Sequence, residues 1–140
     1  MRVNDFEVPA ELLYSENHVW VKMEGDLMRL GITDYAQKQL EEILYIELPN
    51  KGELIEKGDT IALIESVKTV IGVLSPLDCE VIEVNESLRE EPELMNLSPY
   101  GEGWIVVVRA LKYDQAEELM DAESYAILIK QELKPALFQY

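Results

Sequence analysis

Short apolar segments separated by turn residues limit what this chain can fold into more than any other feature. The segments of strand-like composition lie at residues 18–22, 27–32, 44–48, 60–66, 69–74, 79–84 and 104–111. Most of them are bounded by Gly, Pro, Asn or Asp, which favour turns over a continued strand. Glu24, Gly25 and Asp26 separate the first two segments, which therefore predict a hairpin. Many short strands of this kind are typical of a small β sandwich or barrel.

Helical patterns occur after the first hairpin and again near the end of the chain. Thr33 and Asp34 offer an N-cap, and apolar side chains between residues 35 and 43 are spaced for one buried helical face. Residues 85–103 are rich in turn residues. A capping-box-like pattern at residues 114–117 predicts a helix through residue 120, and Asp121 begins a second helix that ends near residue 133. The predicted class is α+β: mainly β, with a short helix after the first hairpin and C-terminal helices.

A chain of 140 residues is most simply one domain, here residues 1–140. Residues 1–13 are predicted to be an N-terminal lead-in, because Pro9 interrupts any early helix. Pro135 ends the last helix, so residues 134–140 are predicted to be a loose tail.

The charge balance and the scarcity of reactive side chains exclude several classes of function. With 28 acidic and 12 basic residues the net charge is -16, which repels nucleic acid and anionic membranes, although solubility alone could explain such acidity. The single cysteine, Cys79, and the single histidine, His18, leave no cysteine or histidine cluster for a metal site. One histidine without a nucleophile motif also argues against an intrinsic enzyme, so we expect no catalytic residues.

The cellular location is predicted from the single cysteine and from the apolar segments. Cys79 cannot form an internal disulfide, and its strand-like context predicts a buried structural thiol. The opening residues MRVNDFEVPA lack the pattern of a signal peptide, and no apolar stretch is long enough to span a membrane. We therefore expect a cytoplasmic protein.

Lys68 is the residue with the clearest chemical potential. The segments 60–66 and 69–74 match in length, so Val67 and Lys68 should lie at the tip of a hairpin. A lysine amine on a flexible stem is a natural target of acylation, which removes its charge. On this basis alone, however, most exposed turn lysines only keep a protein soluble.

The residues around Lys68 give it a more specific meaning. The sequence Glu65-Ser66-Val67-Lys68 resembles the lipoyl-attachment motif of the glycine-cleavage H proteins. The resemblance extends over roughly residues 14–128. Further matching segments are Gly31-Ile-Thr-Asp-Tyr-Ala-Gln37, Glu47-Leu48-Pro49, Ser75-Pro76, Glu83-Val84-Asn85, Pro92-Glu93-Leu94 and Pro99-Tyr-Gly-Glu-Gly-Trp104.

This resemblance implies a fold, a cofactor and a set of partners. The fold would be the lipoyl-domain barrel-sandwich hybrid, and lipoate would be bound covalently to Lys68. The protein would shuttle an aminomethyl group and reducing equivalents without being a catalyst. Its partners would be a pyridoxal-phosphate glycine decarboxylase, an aminomethyltransferase, dihydrolipoamide dehydrogenase and the lipoyl-attaching enzyme. By the same resemblance, Glu65 would serve recognition by the lipoyl-attaching enzyme, with Val67 beside it in the motif.

Two positions depart from the family pattern. The family's first strand reads His-Glu-Trp, but here it reads His18-Val19-Trp20, and Gly72 stands where the family has Asp. By resemblance, those two carboxylates belong to the cleft that shelters the arm. Here the cleft residues are expected to be His18, Val19, Tyr35, Ile71 and Gly72, although packing could equally explain Tyr35 and surface exposure His18. A cleft lined by Val19 and Ile71 would suit an uncharged cargo.

The departures leave two explanations open. Other acidic side chains of this very acidic chain could have replaced the missing pair in a glycine-cleavage carrier. Alternatively, the chain could be an H-like lipoate-binding protein of another pathway, such as heterodisulfide-reductase-like sulfur oxidation. The extent of the resemblance favours the first.

Overall fold

Antiparallel pairing of short strands produces two main sheets and one small hairpin. The computed structural model describes residues 1–133. The strands are β1 (Arg2–Val3), β2 (Phe6–Glu7), β3 (Leu13–Tyr14), β4 (Val19–Glu24), β5 (Leu27–Ile32), β6 (Ile43–Glu47), β7 (Leu54–Ile55), β8 (Thr60–Ser66), β9 (Val70–Leu74), β10 (Cys79–Val84) and β11 (Val106–Ala110). A six-stranded sheet has the order β3-β4-β5-β11-β10-β7, a three-stranded sheet the order β6-β8-β9, and β1 pairs with β2.

Four helices and a 3-10 turn complete the described chain. They are α1 (Asp34–Leu40), α2 (Ser87–Glu90), α3 (Leu94–Leu97), α4 (Ala122–Glu132) and the 3-10 helix Tyr113–Glu118. The predicted class, mainly β with a short helix after the first hairpin and C-terminal helices, is confirmed.

Two clusters of apolar side chains stabilise this arrangement. The larger one contains side chains from both main sheets, such as Val21, Ile64 and Val106, each essentially inaccessible to solvent. In β8, Ile64 is buried while its neighbours Leu63 and Glu65 are exposed, as the alternation of a strand with one buried face requires. Burial of each large aliphatic side chain contributes roughly 1.5–3 kcal/mol.

Helix α1 begins where the sequence predicts and ends earlier. The Thr33 side chain accepts a hydrogen bond from the Ala36 amide at 3.2 Å, which is the expected N-cap. The predicted end at Ile43 is wrong, because Glu41 adopts a φ of +62° and breaks the helical path. Ile43 is instead a buried residue of β6.

The first 13 residues are ordered against the body of the protein. The segment described above as a lead-in contains the β1–β2 hairpin, and Val3, Val8 and Leu12 join the second apolar cluster. That cluster also contains Trp20 and Tyr125. The predicted tail, 134–140, lies outside the described residues.

The helices of the second half follow the sequence only in part. Helix α4 starts as predicted, with the Asp121 carboxylate accepting from the Ser124 amide at 2.9 Å. The predicted capping-box helix is wrong: the segment Tyr113–Glu118 is 3-10, and Lys112 at its N-cap makes no side-chain capping bond. The turn-rich region 85–103 contains α2 and α3, which the turn signals did not indicate.

Residues 1–133 contain neither a membrane-spanning helix nor a metal-binding cluster of side chains. None of the helices there is long and apolar enough to cross a membrane. The same residues contain no group of three or more His, Cys, Asp or Glu side chains arranged to hold a metal ion. Cys79 is buried as predicted, and burial raises the pKa of its thiol, which keeps it protonated and unreactive.

Candidate functional site: the Lys68 hairpin and its cleft

Lys68 lies at the tip of the β8–β9 hairpin. The two strands pair antiparallel, with Glu65 opposite Val70, and the turn spans the four residues from Ser66 to Thr69. Ser66 shapes this turn: its amide donates to the Thr69 carbonyl at 2.8 Å, and its hydroxyl accepts from the Lys68 and Thr69 amides at 3.1 and 3.2 Å. Because Ser66 is buried, the turn is fixed from below while Lys68 points outward.

The amine of Lys68 is accessible. The Lys68 side chain is 55% exposed, and its Nζ lies 3.4 Å from Oε2 of Glu41, which is itself 60% exposed. An ion pair between two solvated side chains contributes about 0–1 kcal/mol, so an enzyme can open it at little cost. Glu41 reaches this position because its left-handed backbone turns the chain at the end of α1.

The other two motif residues, Glu65 and Val67, are exposed at the same end of the hairpin as Lys68. Glu65 is exposed on β8, and Val67 is half exposed beside Lys68. The Val67 amide donates to the Glu42 carbonyl at 3.0 Å, which ties the turn to the segment after α1. Glu65, Val67 and Lys68 are therefore all accessible at this end of the hairpin.

A cleft of about 280 Å³ opens between the lower part of this hairpin, helix α1 and the end of α4. It is lined by Asn17, His18, Ile32, Tyr35, Ala36, Gln39, Leu40, Ile71, Gly72, Val73 and Glu132. The structure thus brings together four of the five residues expected in the cleft: His18, Tyr35, Ile71 and Gly72.

The expectation that Val19 lines the cleft is wrong. Val19 begins β4 opposite Ile32 and is 1% exposed within the larger apolar cluster. His18 adopts a φ of +68°, so the backbone changes direction between the two residues and sends only His18 toward the cleft. Val19 therefore does not make the cleft suited to an uncharged cargo.

The position of Gly72 has its own packing reason. A Cβ at residue 72 would lie 2.8 Å from the Thr60 hydroxyl oxygen on the neighbouring strand. Any side chain there requires Thr60 to move, so the missing Asp at this position matches the local packing of β8 against β9.

A chain of hydrogen bonds connects the cleft to the protein interior. Nε2 of His18 lies 3.2 Å from Oε1 of Glu132, and Nδ1 lies 2.8 Å from the Tyr125 hydroxyl. The Tyr125 hydroxyl is in turn 2.7 Å from the hydroxyl of Thr33, the N-cap of α1. The Tyr35 hydroxyl donates to the same Glu132 oxygen at 3.2 Å.

This network assigns the proton of the His18 ring. Burial lowers the pKa of His18, with Glu132 acting in the opposite direction, so the ring is neutral near pH 7. A carboxylate only accepts hydrogen bonds, so Nε2–H donates to Glu132 and Nδ1 accepts from Tyr125. Burial and the adjacent Glu132 raise the pKa of Tyr35, which keeps its hydroxyl a donor.

Three residues of this site escaped the sequence reasoning as site residues. Ser66 was recognised only as part of the motif, although its central place in that motif could have indicated a turn-forming role. Glu41 carries no motif that indicates a place in the site. Glu132 gave no signal, because it is far along the chain from Lys68 and lies in an ordinary amphipathic helix.

Comparisons with known proteins match most of the chain to its relatives. The family model described as glycine cleavage H-protein matches residues 12–132. A glycine cleavage system H protein of Bacteroides thetaiotaomicron is 45% identical over 121 residues, covering 86% of this chain and 96% of that protein. Its counterpart in Halalkalibacterium halodurans is 46% identical over 125 residues, covering 89% and 98%.

A solved structure shows the same fold. The crystal structure of a glycine cleavage system H protein from Mycobacterium marinum superposes with a TM-score of 0.81 at 29% identity, covering 88% of this chain and 99% of that one. The barrel-sandwich arrangement implied by the resemblance is thereby confirmed. The chain belongs to the glycine cleavage H-protein family, whose members are non-catalytic carriers that hold lipoate covalently on a lysine.

Proposed function

We propose that Lys68 is the residue that bears the lipoyl arm of this glycine-cleavage carrier. The observation that supports it most directly is the exposed amine of Lys68, held at the tip of a rigid hairpin within the Glu65–Lys68 motif. Acylation requires a protein surface that a modifying enzyme can surround, and the hairpin tip offers one. The residues present therefore fit a covalently attached lipoyl group.

The residues around Lys68 have different roles in exposing its amine to the modifying enzyme. Ser66 fixes the turn through its hydrogen bonds to Lys68 and Thr69, so the backbone that carries the amine is held in one conformation. We propose that Glu65 and Val67 are read by the lipoyl-attaching enzyme, because both are exposed beside the amine. When bound, the lipoyl group supplies dithiol chemistry that accepts an aminomethyl group and reducing equivalents.

The cleft offers shelter to the end of the arm. We propose that His18, Tyr35, Ile71 and Gly72 are its working surface. Ile71 and Gly72 lie on the strand that follows Lys68, so one wall of the cleft is part of the hairpin that presents the amine. The apolar side chains exclude water from this surface, while the neutral His18 adds no positive charge.

The partners we propose are the pyridoxal-phosphate glycine decarboxylase, the aminomethyltransferase, dihydrolipoamide dehydrogenase and the lipoyl-attaching enzyme. A tethered arm raises the effective concentration of its end at each enzyme's site, which is the physical advantage of a carrier. The net charge of -16 favours partner surfaces with basic rims. A cytoplasmic location belongs to the same proposal and is in keeping with the bacterial relatives.

The cleft gives no support to the alternative of a sulfur-oxidation carrier. That alternative was based on a cleft without a carboxylate, whereas the structure places Glu132 in that cleft. The family and the relatives named above are those of glycine cleavage.

Intact-mass measurement tests the proposed attachment. The chain is co-expressed with a lipoyl-attaching enzyme and lipoate, and we expect one lipoyl-sized increment that Lys68→Arg abolishes completely. Lys57→Arg is the matched control, because Lys57 also lies at a turn and pairs with an exposed carboxylate, that of Glu118. An unmodified wild-type chain, or an increment that persists in Lys68→Arg, would refute the assignment of Lys68.

A second measurement tests the pathway. The lipoylated protein should support glycine–bicarbonate exchange by a cognate decarboxylase, and the Lys68→Arg protein should not. If the lipoylated protein gives no exchange while another H protein does so with the same enzyme, the glycine-cleavage role fails although the attachment stands.

A further inference from the structure

The cleft beside the Lys68 hairpin contains one carboxylate that the sequence pattern does not assign. Among the described residues that line it, Glu132 is the only acidic one, and Val19 and Gly72 stand at the two positions where the family pattern has carboxylates. Much of the remaining surface is aliphatic, from Ile32, Leu40, Ile71 and Val73. A charge in such surroundings interacts more strongly with an opposite charge than it would in open solvent.

The geometry of the Glu132 carboxylate lets it accept a further hydrogen bond. Both of its described cleft contacts, from His18 Nε2 and the Tyr35 hydroxyl, fall on Oε1 at 3.2 Å. A carboxylate can accept about four hydrogen bonds, so Oε2 retains acceptor capacity. The two donors fix the orientation of the group, and the side chain, which lines the cleft, is 38% exposed.

The cleft is within reach of the arm. Ile71 follows Lys68 by three positions, so its Cα lies at most about 10 Å away along an extended strand. The four-carbon stem of lysine covers part of that distance, and the carbon chain of a lipoyl group covers more. An arm that folds back along β9 therefore meets Glu132 across the cleft.

We propose that Glu132 is the carboxylate that accepts hydrogen bonds from the primary ammonium of the cargo at the end of the arm. This inference rests on the proposed attachment at Lys68, and it assigns to the end of α4 a role that the family pattern places at positions 19 and 72. Neutral His18 and Tyr35 orient Glu132 without neutralising it. An ammonium gains a charge-assisted hydrogen bond there that an uncharged group of the same size does not.

The test compares a charged and a neutral arm of equal size. The lipoyl disulfide is reduced to its two thiols, and each thiol displaces bromide from 2-bromoethylamine, which leaves a stable primary ammonium on each sulfur, or from 2-bromoethanol, which leaves a hydroxyl on each. Cys79 is buried, and intact mass should show two adducts on the lipoylated protein and none on Lys68→Arg, which has no arm and reports alkylation of Cys79 alone. The readout is the NMR signal of the His18 ring, which is unambiguous because the chain has one histidine.

We expect the ammonium arm to shift the His18 ring signals. Its equilibrium constant for docking in the cleft should be at least about fivefold larger than that of the hydroxyl arm. In Glu132→Gln, which preserves size and an acceptor for His18, this preference should disappear. Glu123→Gln is the matched control, because Glu123 is exposed on the first turn of the same helix. It should retain the preference.

The outcomes separate the two proposals. A preference for the ammonium arm that survives in Glu132→Gln overturns the role of Glu132 and leaves the attachment at Lys68 intact. Equal His18 ring shifts for the ammonium and hydroxyl arms in the wild-type protein likewise overturn the role of Glu132. Absence of any lipoyl increment on Lys68 overturns both.

Discussion

Removal of one buried hydroxyl should show how strongly the interior network joins α4 to α1. Tyr125 is fully buried, and its hydroxyl contacts the Thr33 hydroxyl at 2.7 Å and His18 Nδ1 at 2.8 Å. Tyr125→Phe deletes both bonds but keeps the ring, which stacks on Tyr14 at a centroid distance of 4.5 Å. The variant therefore isolates the hydrogen bonds from the packing.

The magnitude follows from what is left without a partner. A buried polar group that loses its hydrogen bond destabilises the native state by about 1–3 kcal/mol. Thr33 is fully buried, whereas the His18 side chain is 20% exposed and can regain a water, so we place the loss at about 1–2 kcal/mol. For a domain of this size that corresponds to a fall in Tm of roughly 3–8 °C.

Urea unfolding followed by circular dichroism measures this loss directly. Tyr113→Phe is the control, because Tyr113 is 83% exposed, and its free energy of unfolding should stay within about 0.5 kcal/mol of the wild type. A Tyr125→Phe protein as stable as this control would show that the hydroxyl network adds nothing to the fold.

Two further predictions concern pH and packing. His18 has a lowered pKa in the folded state, so below about pH 6.5 the unfolded chain binds more protons than the folded one, and the stability that His18 contributes should decline as the pH falls through that value. Urea unfolding of the wild type and of His18→Gln between pH 7.5 and 5.5 measures how the free energy of unfolding changes with pH. An equal pH dependence in both proteins contradicts this prediction. Gly31→Ala places a Cβ 2.6 Å from the buried Trp20 indole, so we expect a loss of about 1–3 kcal/mol in urea unfolding, and an unchanged midpoint would refute the clash.

Local signals in the sequence were sufficient for the parts of the molecule that depend on neighbouring residues. Strand-like apolar segments between turn residues identified β8 and β10, the matched strands identified the turn with Lys68, and capping side chains identified the starts of α1 and α4. These features depend on backbone preferences and contacts within a few positions. Short elements such as β3 and β7 lacked such a pattern, because two residues show no periodicity.

The cleft was decided by the tertiary structure. His18 and Tyr125 meet across 107 positions of sequence, and Tyr35 meets Glu132 across 97. No local preference encodes such contacts, because they exist only after the sheets have packed and α4 has docked on the N-terminal region. The sequence therefore determined that an amine stands at a hairpin tip, whereas contacts between residues far apart in the chain determined that Val19 faces the core and that the Glu132 carboxylate at the end of α4 lines the cleft.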